Sequence, residues 1–185
     1  MPLSDNQLHY LASYVVAFVA FGLIGRWYLW PALKDRAPRT ALTPLLLYAS
    51  FRVNGLKFLM LGLVSAQLPR AFAIPTACGD LTAAVLALIA LWLVRLEKTA
   101  AIPLVWLFNI ARSSTWSTRI SRHLKIMSIP DIQAFRTIYL AAINVPATVV
   151  VHVLMFAYLF RLSRDLPMNA TKVKKIGWVY EPGRS

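Results

Sequence analysis

Long apolar stretches separated by short polar segments dominate the chain. The apolar stretches cover residues 9–33, 44–66, 72–94, 99–116 and 134–162. A helix needs about 20 mostly apolar residues to cross the ~30 Å hydrocarbon core of a bilayer. The pattern therefore predicts an all-α fold, a polytopic transmembrane helix bundle with five spans that occupies residues 1–162.

The fourth apolar stretch has the weakest pattern. It is continuously apolar only over residues 99–111, and it crosses a membrane only if it continues through Arg112 to Trp116. The alternative is four spans together with a re-entrant or interfacial segment. Residues 117–133 mix basic and aliphatic side chains, a pattern typical of an amphipathic segment that lies on a membrane surface. Residues 163–185 form a polar, basic tail.

The composition supports a membrane protein. Hydrophobic residues make up 58% of the chain and the mean hydropathy is +0.59, whereas soluble domains contain ~45–50% apolar residues. The 20 Lys and Arg residues outnumber the 7 Asp and Glu residues, which leaves a net charge of +13. Because the basic residues cluster at the ends of the apolar stretches, we expect them to contact anionic lipid headgroups of the bilayer and not nucleic acid.

The distribution of basic residues also predicts an orientation. If the N-terminus lies outside and five spans follow, the cytoplasmic side carries about twice as many Lys and Arg residues as the opposite side, in agreement with the positive-inside rule. The C-terminus is then cytoplasmic. The first apolar stretch is too long for a cleavable secretion signal, so we interpret it as the first span.

Candidate chemistry is sparse. The three histidines, His9, His123 and His152, lie at different depths of the predicted bundle, which disfavours both paired haem ligation and a zinc site. The single cysteine, Cys78, excludes an internal disulfide. The sequence has no glycine-rich phosphate loop and no hydrolase motif. We therefore expect no catalytic residue, no metal and no cofactor, and thus a protein that is not an enzyme.

Four polar residues interrupt the second and third apolar stretches and form a predicted intramembrane polar centre: Arg52, Asn54, Lys57 and Asp80. Ionisable groups are costly in hydrocarbon, so they usually pair or face a protein interior. At 1.5 Å per residue, Lys57 and Asp80 lie at nearly equal distance from the turn near Leu68. The simplest predicted pair is therefore Lys57 with Asp80, and Arg52, about four residues deeper, is the competing partner.

The polar centre has three interpretations. It is a structural ion pair that locks two helices together, or a functional site such as a proton relay or an anion or substrate contact. The third interpretation is that the charged side chains extend toward the headgroups without pairing. A buried ion pair is weak evidence for stability, because the cost of desolvation offsets the attraction.

Small residues on the third stretch predict close helix packing. Gly79, Ala83 and Ala87 recur at four-residue spacing, and Asp80 lies at the edge of the same stripe. Such spacing lets helix backbones approach closely. The stripe contacts either another helix of this chain or a helix of a second copy or partner protein.

The last apolar stretch carries a second polar stripe. Asn144, Thr148 and His152 follow each other at four-residue spacing, so they share one helix face, which we expect to point into the bundle. Asn144 and His152 would then form hydrogen bonds across helices. His152 is interpreted as a buried, hydrogen-bonded histidine, with a proton-transfer group and a ligand as alternatives.

Two motifs resemble those of a group of small bacterial inner-membrane proteins that have no known activity. The first is Arg-x-x-Gly-x-x-Phe-Leu, present here from Arg52 to Leu59, and the second is Leu-Pro-x-x-Phe-Ala-x-Pro followed by Gly-Asp, present here from Leu68 to Asp80. The resemblance implies a bacterial inner-membrane location and points to Arg52, Gly55 and Asp80 as one unit.

Two functions follow as expectations. The first is a non-enzymatic integral membrane protein that acts as a small accessory or assembly subunit of a larger membrane complex, with a membrane-protein partner or a second copy of itself. The alternative is a small transporter or proton-conducting protein that uses the intramembrane polar residues.

Overall fold

The computed structural model describes residues 5–60, 69–114 and 136–168, and these residues are almost entirely helical, with no strand among them. In chain order the elements are α1 (Asp5–Ile24), a π-helical turn (Gly25–Leu29), α2 (Trp30–Leu33), α3 (Pro38–Ser50), a 3₁₀ segment (Phe51–Leu59), α4 (Arg70–Arg95), α5 (Ala101–Ser114) and α6 (Arg136–Met168). The prediction of an all-α fold is confirmed.

Two salt bridges show which helix ends lie together. Arg161 Nη2, near the end of the apolar part of α6, lies 2.5 Å from Asp35 Oδ1 in the turn after α2. Arg39 Nη1, at the start of α3, lies 3.3 Å from Glu97 Oε1, just after α4. We call this side of the bundle, defined by these four residues, the basic end. Therefore α3 and α5 run away from the basic end, whereas α4 and α6 run toward it.

The turn between α4 and α5 ends α4 sharply. Glu97 has a φ of 54°, in the left-handed region, while its N–H donates to the Val94 carbonyl at 3.2 Å and the Lys98 N–H donates to the Leu93 carbonyl at 3.0 Å. These two bonds satisfy carbonyls that the helix end would otherwise leave without a donor. The reversal lets α5 begin at Ala101 and return alongside α4.

The core lies between α3, α4, α5 and α6. On α4 most of its members are small: Ala83, Ala87 and Ala90 are at most 1% exposed. Larger side chains from the surrounding helices fill the space next to them, among them Leu42, Leu46, Val105, Phe108, Met155 and Leu159. Alanines on the central helix permit close helix approach, and the neighbouring helices supply the volume.

Within residues 5–60, 69–114 and 136–168, three helical stretches are long and apolar enough to cross a membrane: Leu11–Leu33, Arg70–Arg95 and Ile143–Arg164. They correspond to the first, third and fifth predicted spans. The last helix is longer than predicted, since α6 continues through Met168 into the expected tail. The predicted surface segment 117–133 and the remainder of the tail lie outside the described residues.

The second predicted span differs from an ordinary helix. The structure begins it at Pro38, with 13 residues of α3, and continues it with a 9-residue 3₁₀ segment where a continuous α-helix was expected. Residues 61–66 of the predicted span lie outside the described residues. At 1.5 Å and 2.0 Å per residue, the two parts together rise ~38 Å. At the fourth predicted span, the described residues of α5, Ala101–Ser114, rise ~21 Å, and residues 115 and 116 of that span lie outside the described residues.

Candidate functional site

The carboxylate of Asp80, in the middle of α4, binds Arg52 of the 3₁₀ segment. Arg52 Nη2 and Nε donate to Asp80 Oδ1 at 2.9 Å and 3.2 Å. The two side chains are 12% and 13% exposed. Bonds from a guanidinium to a carboxylate are charge-assisted, which makes them stronger than neutral hydrogen bonds. This pair joins the 3₁₀ segment to α4.

The geometry of the 3₁₀ segment explains why Arg52 reaches Asp80. With three residues per turn, side chains three positions apart eclipse each other. Arg52, Gly55 and Phe58 therefore share the face that packs on α4. Gly55 is buried, and the ring of Phe58 packs edge-to-face on Phe72 of α4 with centroids 5.8 Å apart.

The expectation that Lys57 is the partner of Asp80 is wrong. Lys57 lies five residues after Arg52, which places it about 120° away around a 3₁₀ helix. Among the described residues no salt bridge joins Lys57 to Asp80, and Lys57 is half-buried. The side chain of Asn54 is exposed on the same side as Lys57, away from the carboxylate.

Gly55 makes the close approach of the 3₁₀ segment to α4 possible. A Cβ atom built on Gly55 would lie only 2.5 Å from the Cβ of Asp80 and 2.9 Å from its Cγ. Real Cβ atoms do not come this close to other heavy atoms, so any side chain here displaces Asp80 or the backbone. The interpretation of Arg52, Gly55 and Asp80 as one unit agrees with this contact.

A second guanidinium, which the sequence analysis did not identify as part of the site, also contacts Asp80. Arg112 Nη2 donates to Asp80 Oδ1 at 3.3 Å and Arg112 Nη1 donates to the Gly79 carbonyl at 3.2 Å. Its side chain is 9% exposed. From its place after the apolar run 99–111, Arg112 is expected at the end of a span, because a terminal arginine usually lies at a membrane surface.

A buried amide links α5 to α6. Asn109 Nδ2 donates to the His152 carbonyl at 3.1 Å, and Asn109 Oδ1 lies within hydrogen-bond distance of His152 Nδ1. Neither residue is more than 3% exposed. Asn109 lies one helical turn before Arg112 on the same face of α5. This three-residue spacing was the sequence signal that could have drawn attention to both residues.

These side chains form two hydrogen-bonded clusters, Arg52–Asp80–Arg112 and Asn109–His152, which share helix α5 and which we together call the polar network. The 3₁₀ segment supplies Arg52, α4 supplies Asp80, α5 supplies Asn109 and Arg112, and α6 supplies His152. Every member is buried or half-buried. The network can fix the relative positions of four elements, and it presents two guanidiniums and an imidazole within the apolar interior.

The polar stripe of α6 is only partly directed inward. His152 and Thr148 are buried, and the Thr148 hydroxyl donates to the Asn144 carbonyl at 2.7 Å. The side chain of Asn144 is exposed, so its expected position inside the bundle is wrong. Of the small residues on α4, Ala83 and Ala87 lie in the core and Gly79 is half-buried beside Arg112.

Residues 10–160 match the family described as a domain of unknown function, DUF8737. The chain belongs to this family. No curated protein and no solved structure matches the chain.

The matched region of the DUF8737 family contains the whole polar network, from Arg52 to His152. It also contains all the buried residues of the core cluster, from Leu33 to Leu159. The network is therefore part of the family domain and not of the terminal segments.

Proposed function

We propose that this chain is a polytopic integral membrane protein without enzymatic activity, which serves as a small accessory or assembly subunit of a larger membrane complex. The observation that carries the proposal is the outward apolar surface of α1. The stretch Leu11–Leu33 runs from α1 through α2, and only 11% of its 18-residue apolar window is buried. On α1, Val15, Val16 and Val19 are all more than half exposed. Such a surface requires lipid or another helix to cover it.

Packing of α1 leaves most of its surface available. Its main neighbour is α6, and in the π-helical turn that follows α1 a Cβ on Gly25 would lie 2.8 Å from Val150 Cγ1. These contacts orient the helix along α6, while its remaining faces can contact lipid and the helices of a partner. We propose a membrane-protein partner, or a second copy of this chain, at this surface.

The arrangement of helix ends supports the proposed topology. Arg39, Arg161 and the neighbouring basic residues gather at the basic end, which we place in the cytoplasm according to the positive-inside rule. The N-terminus is then outside and the C-terminus inside, with five crossings. The resemblance to small bacterial membrane proteins supports the inner membrane as the location.

Labelling of Cys78 tests the membrane placement. This thiol is exposed on α4, eight residues or ~12 Å from the start of the helix, so in membranes it should face hydrocarbon. A charged, membrane-impermeant maleimide should leave it unmodified in inverted vesicles. The matched control is Cys78→Ala combined with Lys98→Cys, which places the thiol in the turn at the basic end and should react readily. Rapid labelling of Cys78 in intact vesicles contradicts the proposal.

Purification in a mild detergent tests the subunit role. Native extraction followed by mass spectrometry of co-migrating proteins should yield a stoichiometric membrane-protein partner or a homo-oligomer. The control is a variant with Val16→Lys and Val19→Lys, which places charge on the exposed face of α1 and should release the partner without unfolding the core. Recovery of the lone monomer from wild-type membranes contradicts the subunit role.

The buried polar network supports a second candidate function, a small transporter or proton-conducting protein. Buried ionisable residues that connect several helices are typical of substrate and ion pathways. In proteoliposomes, the wild-type protein should support a flux of protons or of a solute. An Asn109→Leu variant should lose this flux, while a variant of the exposed residue, Asn144→Leu, should retain it. Equal flux in empty and protein-containing vesicles removes this candidate.

A further inference from the structure

The helical stretch that begins with α3 changes its winding partway along. After the 13 residues of α3, the chain forms the 3₁₀ segment of 9 residues, Phe51–Leu59. Runs of 3₁₀ helix longer than about 3–4 residues are uncommon, because their hydrogen bonds have poorer geometry, and a 3₁₀ stretch within a longer helix often marks a hinge. A 3₁₀ winding of this length therefore needs contacts that favour it over an α-helix.

Contacts with α4 supply this preference, and they recur every three residues. Arg52 Nη2 donates to Asp80 Oδ1 at 2.9 Å, and Gly55 lies directly against Asp80. Phe58 packs on Phe72 with ring centroids 5.8 Å apart. At about 120° per residue in a 3₁₀ helix, these three positions of the segment lie in line. At about 100° per residue in an α-helix, Phe58 would lie about 120° around the helix from Arg52, so the contacts could not form together.

The local sequence and the junction with α3 are compatible with an α-helical winding. Residues 51–59 contain no proline, so each residue has the backbone N–H that an α-helix requires. At the junction, Ser50 has φ −69° and ψ −24°, and Phe51 has φ −65° and ψ −2°. Both residues lie in the right-handed helical region that the two windings share. An α-helix can therefore continue through the junction when N–H groups exchange acceptors three residues back for acceptors four residues back.

The residue after the segment can accommodate a change in its length. Met60 is extended, with φ −87° and ψ 118°, and its N–H donates to the Lys57 carbonyl at 3.0 Å, a bond between residues three apart. The segment has 9 residues, and the rise per residue is 2.0 Å in a 3₁₀ helix and 1.5 Å in an α-helix, so rewinding shortens it by ~4–5 Å. Rotation about φ and ψ of Met60 can compensate for this shift.

We propose that residues 51–59 form a two-state segment, with the ion pair of Arg52 and Asp80 as its latch. While the pair is formed, the segment keeps the 3₁₀ winding. When Arg52 leaves the carboxylate, the segment rewinds as a continuation of α3 and moves Leu59 ~4–5 Å toward the basic end. This conformational device goes beyond the proposed subunit role, since it requires neither a partner protein nor transport.

The second guanidinium on Asp80 makes release of the latch less costly. Arg112 Nη2 donates to the same carboxylate oxygen at 3.3 Å. A buried carboxylate that loses its only cation is strongly destabilising, but Asp80 keeps Arg112 as a charged partner when Arg52 departs. Opening of the latch is therefore compatible with a folded core between α4 and α5.

The distance between two spin labels tests the rewinding. The labels are attached to the full chain in lipid nanodiscs at Thr40→Cys in α3 and at Leu59→Cys, and Cys78→Ala removes the native thiol. Both labelled positions are exposed. The rise from residue 40 to residue 59 is ~33 Å with the 3₁₀ segment and ~28 Å for a continuous α-helix. Double electron–electron resonance measures distances in this range.

Two variants open the latch from opposite sides. Asp80→Asn removes the carboxylate charge, whereas Arg52→Met leaves Asp80 paired with Arg112 and should remain folded even if Asp80→Asn does not. In each variant we expect a population with a 40–59 distance ~4–5 Å shorter than in wild type. The matched control is Lys57→Met in the same segment, which should keep the wild-type distance because no described salt bridge joins Lys57 to Asp80.

A second pair of labels separates rewinding from displacement of whole helices. Thr40→Cys combined with Ile74→Cys joins α3 to an exposed position of α4 and does not include the 3₁₀ segment. Its distance should be the same in wild type and in the latch variants. Circular dichroism and size-exclusion profiles verify that each labelled protein is folded.

Each outcome decides the proposal. A shorter 40–59 distance in a latch variant, with an unchanged 40–74 distance, supports it. An unchanged 40–59 distance in folded Arg52→Met overturns it, and so does a broad distribution at longer distances, which indicates fraying. Equal shortening in Lys57→Met, or an equal change in the 40–74 distance, overturns it because the change would not then arise from the latch. Unfolding of both latch variants also overturns it, since opening would abolish the fold instead of rewinding the segment.

Discussion

Gly55 lies directly against Asp80, so that a side chain on Gly55 would occupy the space of the Asp80 carboxylate. A Cβ on Gly55 would be 2.5 Å from the Cβ of Asp80. The contact brings the backbone of the 3₁₀ segment next to α4 and allows Arg52, one 3₁₀ turn earlier, to reach the same carboxylate.

Gly55→Ala should destabilise the protein. The added methyl group forces Asp80 or the 3₁₀ backbone to move, which typically costs about 1–3 kcal/mol for overpacking of a tight site. Thermal unfolding in detergent measures the effect. The matched control is Gly22→Ala, because nothing lies within 4 Å of a Cβ at Gly22, and there alanine should be neutral or stabilise the helix by up to about 1 kcal/mol. Equal effects at the two glycines would show that the contact with Asp80 is not tight.

Asp80→Asn should be among the most destabilising single substitutions in this region. It removes the carboxylate that two guanidiniums contact, and loss of one partner from a buried ion pair costs about 3–5 kcal/mol. The double variant Arg52→Met with Asp80→Asn should lose less stability than the sum of the single variants, because the two residues interact.

Lys57→Met is the control for this double-mutant cycle. Lys57 makes no described contact with Asp80, so the substitution should change stability by no more than about 0.5 kcal/mol and should add to Asp80→Asn without coupling. Strong coupling between positions 57 and 80, with none between 52 and 80, would contradict the observed pairing. Chemical denaturation followed by tryptophan fluorescence supplies the free energies.

Asn109→Ala should destabilise the contact between α5 and α6. The substitution removes both hydrogen bonds to His152 and leaves buried polar groups without partners, at a cost of about 1–3 kcal/mol. Asn144→Ala, on the exposed side of α6, is the control and should fall within about 0.5 kcal/mol of wild type. Similar losses at both asparagines would argue against a buried link at Asn109. Thermal unfolding of the three proteins in one detergent makes the comparison.

Gly25→Ala should loosen the contact between the π-helical turn and α6. The new Cβ would lie 2.8 Å from Val150 Cγ1, so one of the two helices must shift, and the expected loss is about 1–2 kcal/mol. Val150→Ala removes the obstructing methyl group, and the double variant should therefore recover part of the stability lost by Gly25→Ala. Failure of Val150→Ala to compensate would mean that another contact limits this position. Differential scanning fluorimetry can follow all four proteins.

Several features of the fold follow from the sequence because they are local. Long runs of apolar residues favour helices wherever the chain places them, so the helices that include Leu11–Leu33, Arg70–Arg95 and Ile143–Arg164 coincide with predicted spans. A carboxylate within such a run must face protein, and Asp80 is indeed 9% exposed. The spacing of alanines on α4 likewise indicates close packing before any neighbour is known.

Tertiary structure alone decided which basic residues contact the carboxylate of Asp80. The sequence of residues 51–59 is compatible with either 3.0 or 3.6 residues per turn, and the choice depends on how tightly Gly55 and Phe58 pack on α4. The 3₁₀ winding places Arg52 in line with Gly55, and Lys57 lies about 120° from both. Arg112 joins the site because α5 begins beside the end of α4 and runs back along it, an arrangement that depends on contacts between distant parts of the chain. Periodicity determines the side of a helix on which a residue lies, but the identity of its neighbour depends on packing between helices.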